Sequence, residues 1–287
     1  MKRLGRWAPI ALSVAAFAFL YREVIVKLVH DWAYDGNFSH GFLIVPIAAY
    51  LVWERRKQLA ATPIEPTVVG LVFLLGSLVT LAAGILGAEL FLSRVSMIGV
   101  VGSVVLFMTG WRFLRVLMFP LAFLLLMIPI PAIVFNQIAF PLQLLASRGA
   151  EYTLQMAHIP VLREGNVIVL ANTSLEVAEA CSGIRSLISL VTLAIVYGYF
   201  TDARSWARVV LTLAAVPVAV VSNAARVAGT GVAAHYYGPG VAEGFFHTFS
   251  GWMLFLVAFV MLYAIQRLLG VATSTAGPRG GMRVAEV

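Results

Sequence analysis

The sequence predicts an all-α polytopic membrane protein of about eight transmembrane helices, with an amphipathic helix at the membrane interface and a small hairpin before the sixth helix. Three observations carry this. Of the 287 residues, 61% are hydrophobic and only 11% charged, with a mean hydropathy of +0.94, whereas soluble domains carry about a quarter charged residues. The apolar residues gather in runs close to the roughly 20 that one membrane crossing needs. The charges cluster between those runs, with Lys and Arg concentrated in alternate connections. The positive balance, 20 Lys and Arg against 13 Asp and Glu, forms no stripe on a soluble surface. It reads as retention of cytoplasmic loops in a lipid bilayer, not as contact with nucleic acid.

Apolar spans are expected near 7–21, 40–53, 67–87, 90–110, 113–133, 183–200, 207–226 and 248–266. Lys2, Arg3 and Arg6 precede the first, and Ala16-Phe17-Ala18 resembles a cleavage site, so a removable signal peptide is one reading. A first spanning helix needs the same features, and the rest of the chain is membrane in character, so a retained span is expected. The second span is short, and Tyr34 to His40 before it suit an interfacial elbow. Residues 1–270 are expected to form one integral-membrane domain and 271–287 a disordered cytoplasmic tail rich in Thr, Ser, Gly and Pro.

Orientation follows from the basic residues. With the N-terminus inside, Lys2, Arg3, Arg6, Arg55, Arg56, Lys57, Arg112, Arg115, Arg204, Arg208, Arg267, Arg279 and Arg283 are cytoplasmic, 13 of the 20. Eight spans return the basic tail to the same side. The one long outer segment is then 134–182. Asn136 to His158 mixes Ile138, Leu142, Leu145, Tyr152 and Leu154 with Arg148 and Glu151, the pattern of an interfacial helix. Pro160 ends it. Val167 to Ala171 and Leu175 to Ala178 flank Asn172-Thr-Ser174 as paired extended strands.

This topology places three reactive side chains at one face. Cys181 lies where the outer segment enters the sixth helix, in Glu179-Ala-Cys-Ser-Gly-Ile-Arg185. Arg226 ends the seventh, in Asn223-Ala-Ala-Arg226, and His247 opens the eighth, in His247-Thr-Phe-Ser-Gly251. The intervals between them are 45 and 21 residues. A thiol at a helix N-terminus beside cations ionises more readily, and the thiolate is the nucleophile. Arg185 is one turn on. Amides around Ser182, Gly183 and Ile184 can receive a developing oxyanion, and Gly183 lets a substrate backbone approach. His247 has the chemistry of a general base and acid. Arg226 stays charged and can stabilise the thiolate, an oxyanion or a substrate carboxylate.

Each of these residues also has a plainer reading. A lone Cys in an apolar chain is often a small buried hydrophobe, a His near a helix end an interfacial residue, and Arg226 a complement to a helix C-terminus. Ionisable groups beside membrane spans are costly, and their convergence argues for use. Glu179 can orient His247, pair with Arg185, or be an interfacial charge. Asn223 can hydrogen-bond Arg226 or cap nearby backbone. His40, in Phe38-Ser-His-Gly41, suits a structural or substrate-gating role. His30, His158, His235 and Glu243 take the structural reading. With one cysteine no intramolecular disulfide forms. No spacing resembles a zinc, haem or nucleotide site, so no metal and no cofactor is expected.

The three motifs, in this order, resemble the exosortase/archaeosortase family. So does Phe38-Ser-His-Gly-Phe-Leu-Ile-Val-Pro46, running on to Trp53-Glu-Arg-Arg56, as in its bacterial branch, and the resemblance spans roughly 10–265. It implies a protein-sorting cysteine transpeptidase of the cell inner membrane, with nucleophile Cys181, arginine Arg226 and histidine His247. Its partners would be exported proteins ending in a short signal of the Pro-Glu-Pro type, a membrane span and a basic cluster. The competing class is a non-enzymatic component of exopolysaccharide assembly or a small transporter. Transporters place polar or broken helices at mid-membrane, and here the distinctive polar residues sit at outer ends.

Overall fold

The computed structural model describes residues 4–171, 173–176, 184–202, 204–238 and 245–274. For the first turns after two of these breaks, including Arg185 and His247, it describes backbone alone. The described residues are helical apart from one small sheet and the connections, and the chain divides into two compact units, Met1–Val134 and Phe135–Val287.

The first unit holds α1 (Leu4–Leu20), α2 (Arg22–Tyr34), α3 (Gly41–Glu54), α4 (Arg56–Ala61), α5 (Val69–Leu86), α6 (Leu90–Thr109) and α7 (Trp111–Phe123). Helices α5 and α6 form a close antiparallel pair. A Cβ on Gly70 would run into the Phe107 backbone, and one on Gly84 into Ser93, so small residues set the approach. Gly110, at φ 89, separates α6 from α7 with a backbone only glycine adopts readily, and its α-carbon faces the Glu65 carbonyl.

Helix α2 was not anticipated. Its charges hide a stripe of Val24, Leu28 and Trp32, all buried and spaced by one turn. Polar contacts fasten it: Tyr21 Oη lies 3.0 Å from Ser96 Oγ, and Arg94, 2% exposed in its side chain, donates to Asp31 at 2.6 Å. The expected elbow is present as a turn in which the Asn37 amide donates to Asp35 Oδ1 at 2.8 Å.

The expected fifth span, 113–133, is corrected. Helix α7 stops at Phe123, tightens into a 3-10 turn over Leu124–Met127, and breaks before α8 begins at Ala132. Pro129 and Pro131, two positions apart, lack the amide hydrogen that helix continuation needs and disfavour helical geometry in the residues before them.

The second unit holds α8 (Ala132–Met156), β1 (Val161–Glu164), β2 (Val167–Leu170), β3 (Ser174–Glu176), α9 (Ile184–Thr201), α10 (Ser205–Tyr237) and α11 (Phe245–Ser274). The expected hairpin is β2–β3, with Ile168 opposite Leu175, and β1 adds a third antiparallel strand, Val161 opposite Leu170. Helix α8 ends at Met156, two residues short of the expected His158: His158 turns left-handed at φ 57, and the Ile159 amide returns to the Leu154 carbonyl at 3.0 Å. Ser147 Oγ donates to the Gly165 carbonyl at 3.1 Å and Arg163 pairs with Glu151 at 2.8 Å, which ties the sheet to α8.

Each of the eight expected apolar segments contains a helix. Among the described residues, four helices are long and apolar enough to cross a membrane: Val69–Leu86, Leu90–Thr109, Ser205–Tyr237 and Gly251–Gly270, or up to five if α7 and α8 form one broken span. The apolar stretches Ala11–Leu20, Gly41–Glu54 and Leu187–Thr201 are shorter. The protein is thus an all-α, multi-pass membrane protein, and the expected count of eight goes beyond what helix length and apolarity establish.

Candidate active site

Helices α9, α10 and α11 share one core, in which Leu187, Leu190 and Ala194 meet Leu211, Ala215, Val218 and Ala219, and these meet Ala258 and Leu262. Two contacts give their relative direction. At one end, Asp202 in the α9–α10 turn accepts from Arg204 at 2.8 and 2.9 Å and from Gln266 of α11 at 3.3 Å, while Arg208 donates to its carbonyl at 2.6 Å. The Arg204 guanidinium and backbone amide hold the Asp202 carboxyl well below the usual carboxylate range, against the opposing effect of burial. At the other end, a Cβ built on Gly251 would stand 3.8 Å from Arg226 Nη2 and 3.9 Å from its Cζ. These ties lie 15 residues apart on α11, about 22 Å along a helix. Helices α10 and α11 therefore run antiparallel. Helix α9 runs towards the Asp202 turn, so its first residue, Ile184, stands at the Arg226 end.

At that end stand the described residues of the three sequence motifs. Cys181 precedes the first residue of α9 by three positions; it, Glu179, Ser182 and Gly183 lie outside the described residues. Arg185 is in the first turn of α9 and His247 in the first turn of α11. His247 stands four residues before Gly251, on the same helix face. The structure thus brings the arginine motif onto the histidine motif directly, through Arg226 and Gly251.

The expectation that Arg226 ends its helix is corrected. Helix α10 continues to Tyr237 and ends at Gly238, φ 88, whose amide returns to Ala234 at 3.0 Å. The cause is burial: Val227, Ala228 and Ala234 pack with Ala150 and Leu154 of α8 and with Ile168 and Leu170 of β2. A helix-interior Arg226 has no terminal carbonyls beside it, so the plain reading of a C-terminal dipole complement fails.

Asn223, one turn before Arg226 on the same face, is 5% exposed, and its Nδ2 has no hydrogen-bond partner among the described residues. Ser222, which the sequence reading passed over, is 8% exposed with its hydroxyl likewise unpartnered. Several helical hydroxyls elsewhere in the chain return to the carbonyl four residues back, as Thr212 does to Arg208 at 2.8 Å, whereas Ser222 and the buried Thr192 do not. The available signal for Ser222 was its one-turn spacing from Arg226.

His40 falls in the first unit. Its Nε2 is 3.1 Å from the Leu126 carbonyl, and Trp32 Nε1 donates to the Met127 carbonyl at 2.9 Å. Together they satisfy carbonyls of the 3-10 turn that follows α7. Burial pushes the His40 imidazole below its ordinary value, against the opposing pull of the Leu126 and Asn37 backbone. A neutral ring donating through Nε2 fits that environment.

A family model described as transmembrane exosortase matches residues 32–264, an interval that includes every motif residue above. No curated protein and no solved structure matches the chain.

Proposed function

The chain belongs to the transmembrane exosortase family, and on that premise we propose that it is a membrane-embedded cysteine peptidase and transpeptidase. It cleaves a C-terminal sorting signal from exported proteins at the outer face of the inner membrane and transfers them to an acceptor. The observation that carries this reading is the seat of Arg226 beside Gly251, one turn from His247.

In the first step, the Cys181 thiol gives its proton to His247, and the thiolate attacks the carbonyl carbon of the scissile peptide bond. Positive charge from Arg226, and amides at the start of α9, stabilise the oxyanion. The C–N bond then breaks, and His247 returns the proton to the departing amine, which carries away the signal's membrane span and basic cluster. A thioester on Cys181 remains. An acceptor amine, deprotonated by His247, attacks it and releases the Cys181 thiol. Glu179, Ser182, Gly183, Arg185 and Asn223 support or bind substrate around these groups. His40 acts in the first unit by fixing the 3-10 turn after α7.

The orientation consistent with this chemistry has eight spans and cytoplasmic termini. Arg204 and Arg208 mark the inner end of α10. From Ser205 to Arg226 is about 32 Å of helix, close to the roughly 30 Å hydrocarbon core. Arg226 then stands at the outer interface, with the α10 extension, α8 and the sheet beyond it.

The test is a reporter carrying a Pro-Glu-Pro tripeptide, an apolar span and a basic cluster, expressed with this chain. Cys181→Ala, Cys181→Ser and Arg226→Lys should each insert normally and leave the precursor uncut, since a hydroxyl ionises far less than a thiol and Lys lacks the guanidinium fork. Near wild-type processing by either Cys181 variant would sink the nucleophile assignment, and by Arg226→Lys the directional role of the guanidinium.

A further inference from the structure

Gly251 closes the histidine motif and takes no part in the steps above, yet its α-carbon lies against the one cation of the site whose side chain is described. A Cβ there would stand 3.8 Å from Arg226 Nη2 and 3.9 Å from Cζ. Those are ordinary van der Waals separations, so the berth holds a guanidinium beside a hydrogen or a methyl group, and a longer side chain turned towards Arg226 would compete with it for space. Arg226 is long and flexible, and on an isolated helix its head would sample a wide arc. On α10 it comes to rest on the α11 face that also carries His247, one turn away.

We propose that Gly251 is a positioning residue. Its missing side chain is the berth that sets the Arg226 guanidinium next to the proton carrier. The inference rests on the Cys181, Arg226 and His247 reading and deepens it: the His247-Thr-Phe-Ser-Gly251 motif supplies both the histidine and the seat for the arginine. Helix chemistry supports a role of this kind. Glycine is the poorest helix former after proline, and either Ala or Leu would strengthen α11 at this position. Gly251 is also only half-buried, so a larger side chain has a route outward that need not part α10 from α11.

The experiment uses the full chain with the Pro-Glu-Pro reporter and two variants, Gly251→Ala and Gly251→Leu, each also melted in detergent. Gly251→Leu should lose about 10²–10³-fold in processing, the loss typical of misplacing one stabilising donor, while its melting temperature stays at or above that of wild type. Gly251→Ala should hold processing within about threefold, because a methyl group fits the observed separation. Leu processing within about threefold of wild type overturns the inference. So does an Ala variant as impaired as Leu, or a loss that follows a falling melting temperature, either of which would make Gly251 a packing residue. If wild type and Cys181→Ala alike leave the reporter whole, the peptidase reading fails and this inference with it. An active wild type beside an indifferent Gly251→Leu overturns this inference alone.

Discussion

Replacing Asn223 by Leu tests function and packing in opposite directions. Asn223 is 5% exposed, and its Nδ2 makes no hydrogen bond among the described residues. A buried amide left unpaired costs about 1–3 kcal/mol. Leu, of similar volume, removes that cost and is the better helix former by a few tenths of a kcal/mol. The net expectation is a chain as stable as wild type or more so, by an amount on the order of 1 kcal/mol. In a protein of this size that moves the melting temperature up by roughly 2–4 °C. Processing should move the other way. If the amide donates to a substrate carbonyl, its loss leaves that carbonyl unpaired and lowers processing by about 10–100-fold. Thermal melting in detergent and reporter cleavage on the same preparations read both. A melting temperature several degrees below wild type would refute the reasoning, because it would mean that the amide already holds a partner in the folded chain.

Two further outcomes concern the first unit. Asp31→Ala should strand the Arg94 guanidinium, which is 2% exposed, at a cost near the low end of the roughly 3–5 kcal/mol for breaking a buried pair, since solvent reaches Asp31. Adding Arg94→Leu should recover most of the loss, and a single variant within about 1 kcal/mol of wild type by thermal melting would show that the pair is not structural. For His40, the folded value lies below the ordinary one near 6.5, so in the window between them the unfolded chain binds the proton and the native chain does not. Stability should therefore be complete above the ordinary value and fall as pH drops through that window towards the folded value. His40→Gln should flatten this part of a pH–melting profile, and an unchanged profile would exclude His40 as its source.

Apolar runs set by the covalent chain alone determined the membrane character, the eight helical segments and the order of the Cys, Arg and His motifs. Turn chemistry determined the end of α8 near Pro160 and the β2–β3 hairpin, because these depend on residues a few positions apart. The break after α7 was also local, yet an Ile-Pro-Ile-Pro run counts as apolar in any hydropathy reading while its two closely spaced prolines disfavour a helical backbone. Helix α2 went unread because Glu23, Lys27 and Asp31 interrupt its apolar stripe; one of those charges is spent on Arg94, which lies 63 residues away. Tertiary structure alone carried α10 past Arg226 to Tyr237. Residues 227–237 have no strong helical signal, and they stay helical because α8 and the sheet bury one of their faces. It also brought Arg226 to Gly251. That contact joins two antiparallel helices across 25 residues of chain, and it exists only because the α9–α10–α11 core and the Asp202–Gln266 tie determine which face of α11 the arginine meets.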